Sequence, residues 1–380
     1  MKRQPANSLD QGNQTKPQFV RGVVTRQVSY SAKDLASTNE TSGIQEGIVE
    51  DWDNYKMDCE GTQAPERRMR RNVAFGADVE SVWDKLATMK ILEECPEYQV
   101  LKYLSLPNSS RSTSQNPVNE YCREQICEWS YRVVDYFNVN REVVSVALSY
   151  LDRFMSKYAK QHGCLLDRRT YKLVATTALY VAVKIHESTA TYHLNLLSIL
   201  ANLSRGEFTQ MHITEMEKLL LHQLKFRVHP ATTVGYIHHF LLMPPFVGNT
   251  AGQRDVEPSI SRQLLDTACF YAELAVMDFY FCTEKPSIVA VAALMESIER
   301  SCGPAHVGHE VCNRFWTQVV HPLFGDDMNR EHLVQVQARL KHVYDNFYVN
   351  ANGQEEEASK RNEARNAQAK SPVSVMHQNL

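Results

Sequence analysis

Apolar side chains recur along this chain with the period of a helix. Val79, Val82, Trp83 and Leu86 fall at i, i+3, i+4 and i+7, one face of a short helix ahead of the main body. The runs Val143 to Met155 and Tyr171 to Ile185 are too long for ordinary strands, and they hold Ala and Leu instead of a strict alternation. The pattern predicts an all-α protein. Its halves also resemble each other: VATTAL at Val174 matches VAVAAL at Val289, and ALSYLD at Ala147 matches ACFYAE at Ala268. Two similar helical domains follow. In each, the alanine-rich segment is the expected central helix, because small side chains let neighbours approach on several sides.

Polar composition sets the expected boundaries. Residues 1–72 and 348–380 are rich in Gln, Asn, Ser, Thr and charge and carry no sustained apolar period, so both read as disordered tails. Residues 73–118 form the leading helix region and a linker, with a continuation of the helix through Tyr103 as one reading. The first domain is expected over 119–229 and the second over 230–347, since Pro230 interrupts any helix that follows the apolar stretch Met216 to Val228.

Charge and cysteine usage narrow the function classes. The 380 residues hold 41 basic and 44 acidic side chains, a formal charge of -3, so bulk electrostatics point to neither nucleic acid nor membrane as partner. Nine cysteines without a CxxC pair, no apolar segment behind Met1-Lys2-Arg3 and no apolar run of bilayer length predict an intracellular protein of nucleus and cytoplasm. Arg67, Arg68, Arg70 and Arg71 fit a nuclear import signal, and Ser371-Pro372 fits a site for a proline-directed kinase. GxSxG, GxxxxGK[ST], GxGxxG and HExxH are all missing, which predicts a protein that is not an enzyme and uses no cofactor. Cys302, His306, His309 and Cys312 have zinc-ligand chemistry, but their place in a Gly/Pro-containing connection reads as chance, so no metal is expected.

Four segments occur in an order that resembles the cyclin box: CREQICEW at Cys122, YLDRF at Tyr150, LVATTALYVAVKIHES at Leu173 and MEKLLLHQLKFRV at Met216. ELAVMDFYFCTEKPSIVAVAAL at Glu273 is similar to the matching part of a second cyclin fold, so the resemblance covers roughly residues 78 to 347. It implies two tandem five-helix cyclin-box domains behind an N-terminal helix, and a regulatory subunit forming a heterodimer with a cyclin-dependent kinase. The family's buried ion pair falls on Arg123 and Asp152, and its kinase-gripping charges on Lys184 and Glu217. Ile185, Leu221 and Val228 fall at the apolar part of that contact, and Cys122, Ile126 and Trp129 at a docking patch for Arg-x-Leu motifs of substrates or inhibitors. Cys122 stands where the family usually has Met.

Subtype stays open, because no RxxL followed by a nearby Asn, the destruction signal of mitotic cyclins, lies near the amino terminus and LxCxE is missing; the leading helix and the run after Met216 lean toward G1-type cyclins. Two rivals share the fold. A general transcription factor of the B type is expected to carry an N-terminal zinc ribbon and a basic surface, but the first 72 residues hold only Cys59 and the chain is slightly acidic. A non-activating scaffold needs Arg123, Asp152 and Leu173 but neither Lys184 nor Glu217.

Overall fold

The structure, a computed structural model, describes residues 79–105, 118–187, 190–247, 256, 258–301 and 305–347. The proposed tails, the arginine cluster, Ser371 and Cys302 lie outside the described residues, as does the side chain of His306.

Helix α1 spans Val79–Glu94 and buries Val82 and Leu86, with Trp83 half-buried and Val79 exposed. It does not continue to Tyr103. Pro96 disfavours helical backbone at Cys95 and offers no N–H, so the chain turns at Cys95 and resumes only as a single 3₁₀ turn, Tyr103–Ser105.

A first group follows: α2 (Glu120–Tyr136), α3 (Glu142–His162), α4 (Arg168–His186), α5 (Ala190–Leu203) and α6 (Gln210–Gln223). Local sequence marks several of the ends. Asn119 and Asp167 accept the Cys122 and Thr170 backbone N–H groups at 3.0 Å, Thr209 and His212 form a reciprocal cap, and Gly163 ends α3 in the left-handed region. Helix α4 is the centre. Every residue from Val174 to Leu179 and from Val181 to Val183 is buried, and α2, α3, α5 and α6 pack around it.

The second group repeats the plan with α7 (Thr233–Phe240), α8 (Pro258–Met277), α9 (Pro286–Ser301), α10 (Ala305–Phe315, carried through a π turn to Phe324) and α11 (330–347). Its centre is α9, buried from Ser287 through Leu294, with α7, α8 and α10 around it. No strand occurs among the described residues. Both central helices are the alanine-rich ones, as packing density requires.

The groups are joined by polar contacts. Arg141 at the start of α3 lies 3.0 Å from Glu273 of α8, and α8 packs on α2 and α3. Helix α1 rests on the second group: Glu93, buried, accepts the Ser287 N–H at 3.1 Å and its hydroxyl at 2.7 Å at the start of α9, and Lys90 pairs with Asp327 at 2.8 Å. The crossing of α1 and α7 is close enough to need Gly235. A Cβ there would sit 2.8 Å from Thr232 Oγ1, the atom that caps α7, and 3.3 Å from Met89. Gly235→Ala is expected to lower stability by about 1–3 kcal/mol through this crowding, measured as a reduced denaturation midpoint.

Candidate functional site

Arg123 and Asp152 meet as a buried fork: Nε donates to Oδ1 at 3.0 Å and Nη2 to Oδ2 at 2.8 Å, both residues only 3% exposed. Tyr103 adds its hydroxyl to Oδ1 at 2.8 Å, and its ring meets Phe279 edge-on. Burial works against the Arg123 cation, but the Asp152 charge and hydrogen bonds outweigh it and hold the guanidinium well above its ordinary pKa. Arg123 also does something its sequence position did not announce. Nη1 donates to the Val276 carbonyl at 2.8 Å and the Met277 carbonyl at 3.3 Å, satisfying the end of α8 in the other helical group.

Lys184, near the end of α4, and Glu217, on α6, are brought together: Nζ lies 2.9 Å from Oε1. The Glu217 bond raises the Lys184 pKa above the ordinary lysine value. Lys184 keeps 49% of its side chain exposed, and Glu217 keeps 13%. Ile185 and Leu221 are partly buried, packed on the core while edging the same surface. Val228 is likewise partly buried, and its carbonyl is held by the Tyr150 hydroxyl and, at 3.0 Å, by His186 Nε2.

Two apolar residues of α6 and the turn after it stand out in solvent: Leu219 at 46% and Phe226 at 69% exposed. Phe226 was not singled out by sequence, because a Phe in an apolar run reads as core. Its exposure follows from backbone geometry. Lys225 and Phe226 both have positive φ, 52° and 56°, an uncommon pair for non-glycine residues that turns the chain off the end of α6. The Phe226 N–H closes the turn on the Leu221 carbonyl at 3.0 Å.

On α2, Cys122, Ile126 and Trp129 are each partly buried against the first core, with the Glu128–Arg132 pair (3.1 Å) on the same helix. Of the zinc-type set, His309 is exposed and Cys312 is buried with its thiol toward the Met295 carbonyl. Among the described residues no group of three or more His, Cys, Asp and Glu side chains can hold a metal ion, and no helix is long and apolar enough to cross a membrane.

The loop after α1 is pinned to the turn after α6. Glu97 accepts the Cys95 thiol at 2.9 Å and pairs with Lys225 at 3.4 Å. The thiol hydrogen bond, then a backbone N–H and Lys225, lower its pKa from 4.5 to about 2. With the folded value below the unfolded one, the Glu97 contribution is present above pH 4.5 and disappears as pH falls toward 2. Glu97→Gln is therefore expected to flatten the acid side of the stability profile across that window, read from denaturation midpoints at successive pH.

Comparison with known proteins falls on the same region. Residues 93–229, which include Arg123, Asp152, Lys184 and Glu217, match the cyclin N-terminal domain. Over 212 residues the chain is 26% identical to G2/mitotic-specific cyclin-2 of Medicago sativa, covering 56% of this chain and 57% of that protein. Over 210 residues it is 27% identical to cyclin-B2-1 of Oryza sativa subsp. japonica, covering 55% and 44%. Cyclin-A1-2 of Arabidopsis thaliana is 24% identical over 181 residues, 48% of this chain and 37% of that one. The chain spans about half the length of the curated relatives it matches. Among solved structures, a viral cyclin from herpesvirus saimiri aligns at a TM-score of 0.49 and 16% identity, covering 69% of this chain and 97% of that one. Residues 93–229 of this chain thus form a domain of the cyclin N-terminal type.

Proposed function

We propose that this chain is the regulatory subunit of a cyclin-dependent serine/threonine protein kinase, and that the kinase docks on the surface formed by α4, α6 and the turn after α6. One observation carries the reading: the Lys184–Glu217 pair, 2.9 Å long, joins α4 to α6 within a cyclin domain, and the turn that follows α6 presents exposed Phe226. An ion pair edging an apolar surface can fix the register of a partner helix, while the apolar residues supply desolvated area.

The activation we infer is differential binding. A protein kinase works only when its helix C Glu pairs with the catalytic Lys and its activation loop is in place. A subunit that binds this arrangement better than the inactive one shifts the population toward it, and supplies no catalytic group of its own. The row Cys122, Ile126 and Trp129 on α2 is the proposed docking surface for Arg-x-Leu segments of substrates or inhibitors.

The experiment is co-purification of the full chain with cyclin-dependent kinase catalytic subunits, wild type beside a Lys184→Glu, Glu217→Lys exchange. Retention by wild type and loss in the exchange variant is the expected outcome. Equal retention of both would remove this surface from the proposal.

A further inference from the structure

Beside the proposed kinase surface lies a second feature, made of charge. Arg153 of α3 is fully buried, yet among the described residues no carboxylate pairs with it. Its Nε donates to the Glu97 carbonyl and its Nη1 to the Arg227 carbonyl, both at 2.9 Å, its plane lies over the Tyr98 ring at 4.4 Å, and its Nη2 has no hydrogen-bond partner. Lys157, one turn on, donates to the Gln223 carbonyl at 2.7 Å. Burial, with the cations of Arg153 and Lys225 adding to it, holds the Lys157 pKa below the ordinary value. Lys225 is exposed and reaches Glu97; the Arg227 side chain is exposed.

Three cations, Arg153, Lys157 and Lys225, thus stand around one carboxylate, with exposed Arg227 two residues past Lys225, and that carboxylate is engaged by Lys225 on one oxygen and by the Cys95 thiol on the other. Among the described residues no other carboxylate pairs with any of the four. Overall composition does not account for this excess, because the whole chain carries a formal charge of -3. Like charges held this close repel, and the repulsion is relieved when a partner brings negative charge. Lys225 and Arg227 also flank Phe226, so the charge borders the most exposed aromatic ring at the end of α6.

We infer that Lys157, Lys225 and Arg227, backed by Arg153, form a docking surface for an acidic segment of the kinase catalytic subunit, next to the apolar contact at Phe226. The inference rests on the kinase-binding reading and adds the chemistry of the partner: Asp and Glu side chains where its surface passes the end of α6. Exposed charges at the rim of an apolar contact act chiefly on the rate of encounter and on its salt dependence.

The test is the association rate of the full chain with a purified cyclin-dependent kinase catalytic subunit, at low and high salt, for wild type and for Lys225→Gln with Arg227→Gln. An unchanged denaturation midpoint serves as the folding control. The expected result is association about tenfold slower in the variant at low salt, a flattened salt dependence and little change in dissociation. Equal rates and equal salt dependence for the two proteins would overturn the acidic surface while leaving the Lys184–Glu217 contact standing. Should wild type bind no such subunit, the kinase reading fails, and a fluorescent polyglutamate peptide judges the charged surface alone. Peptide binding lost in the variant supports an acidic partner. Peptide binding unchanged in the variant, or variant-sensitive binding of an oligonucleotide with none of the peptide, overturns it.

Discussion

Arg123→Ala is expected to cost about 3–5 kcal/mol, the usual effect of leaving one member of a buried ion pair without the other. Against a total stability of about 5–15 kcal/mol, that removes a large share of the margin. The structure makes the loss larger in scope than a single pair. With Arg123 gone, Asp152 keeps, among the described residues, the Tyr103 hydroxyl alone, and the Val276 and Met277 carbonyls at the end of α8 lose their Arg123 donor. Both helical groups should therefore loosen together, seen as one cooperative transition at a lower denaturant midpoint. A double replacement, Arg123→Met with Asp152→Leu, sharpens the point. Exchanging a simple buried ion pair for apolar residues is often neutral or stabilising. Here recovery should be incomplete, because the α8 carbonyls stay unsatisfied. Full recovery would show that Arg123 serves α2 and α3 alone.

The second large effect concerns binding. Lys184→Glu with Glu217→Lys keeps an ion pair between α4 and α6, so the fold has no electrostatic reason to change. A partner arranged to meet Lys at one position and Glu at the other now meets like charge at both. Juxtaposed like charges at an interface cost several kcal/mol; about 3 kcal/mol corresponds to affinity on the order of a hundredfold weaker. The exchange variant should therefore remain helical with an unaltered denaturation midpoint while losing the proposed kinase contact. Loss of binding together with loss of helix content would point to the fold instead of the interface.

Much of this arrangement could be read from residue order. The two central helices were legible because alanine at consecutive turns admits close neighbours on every side, and residues buried all round leave the same imprint in α4 and α9. Arg123 and Asp152, 29 positions apart, were paired through family resemblance, as were Lys184 and Glu217, 33 apart. Neither pair has a local periodicity that would reveal it. What escaped were contacts fixed by the packing of one group on the other. The Arg123 bonds to Val276 and Met277 span more than 150 positions, and Glu93 capping the start of α9 spans 194. Phe226 escaped for a different reason: its exposure is set by left-handed backbone at two non-glycine residues, a conformation residue type does not announce. Arg153 was visible only as a letter in YLDRF. Its burial without a carboxylate depends on the turn after α1, which Pro96 creates.

The most direct measurement is phosphate transfer to a Ser-Pro substrate by cyclin-dependent kinase catalytic subunits, each assayed alone, with the wild-type chain and with the Lys184→Glu, Glu217→Lys variant. The account predicts that at least one catalytic subunit is switched on by the wild type and left idle by the variant. Activation by both proteins alike would contradict the assigned surface, and no activation of any subunit by the wild type would contradict the regulatory role itself.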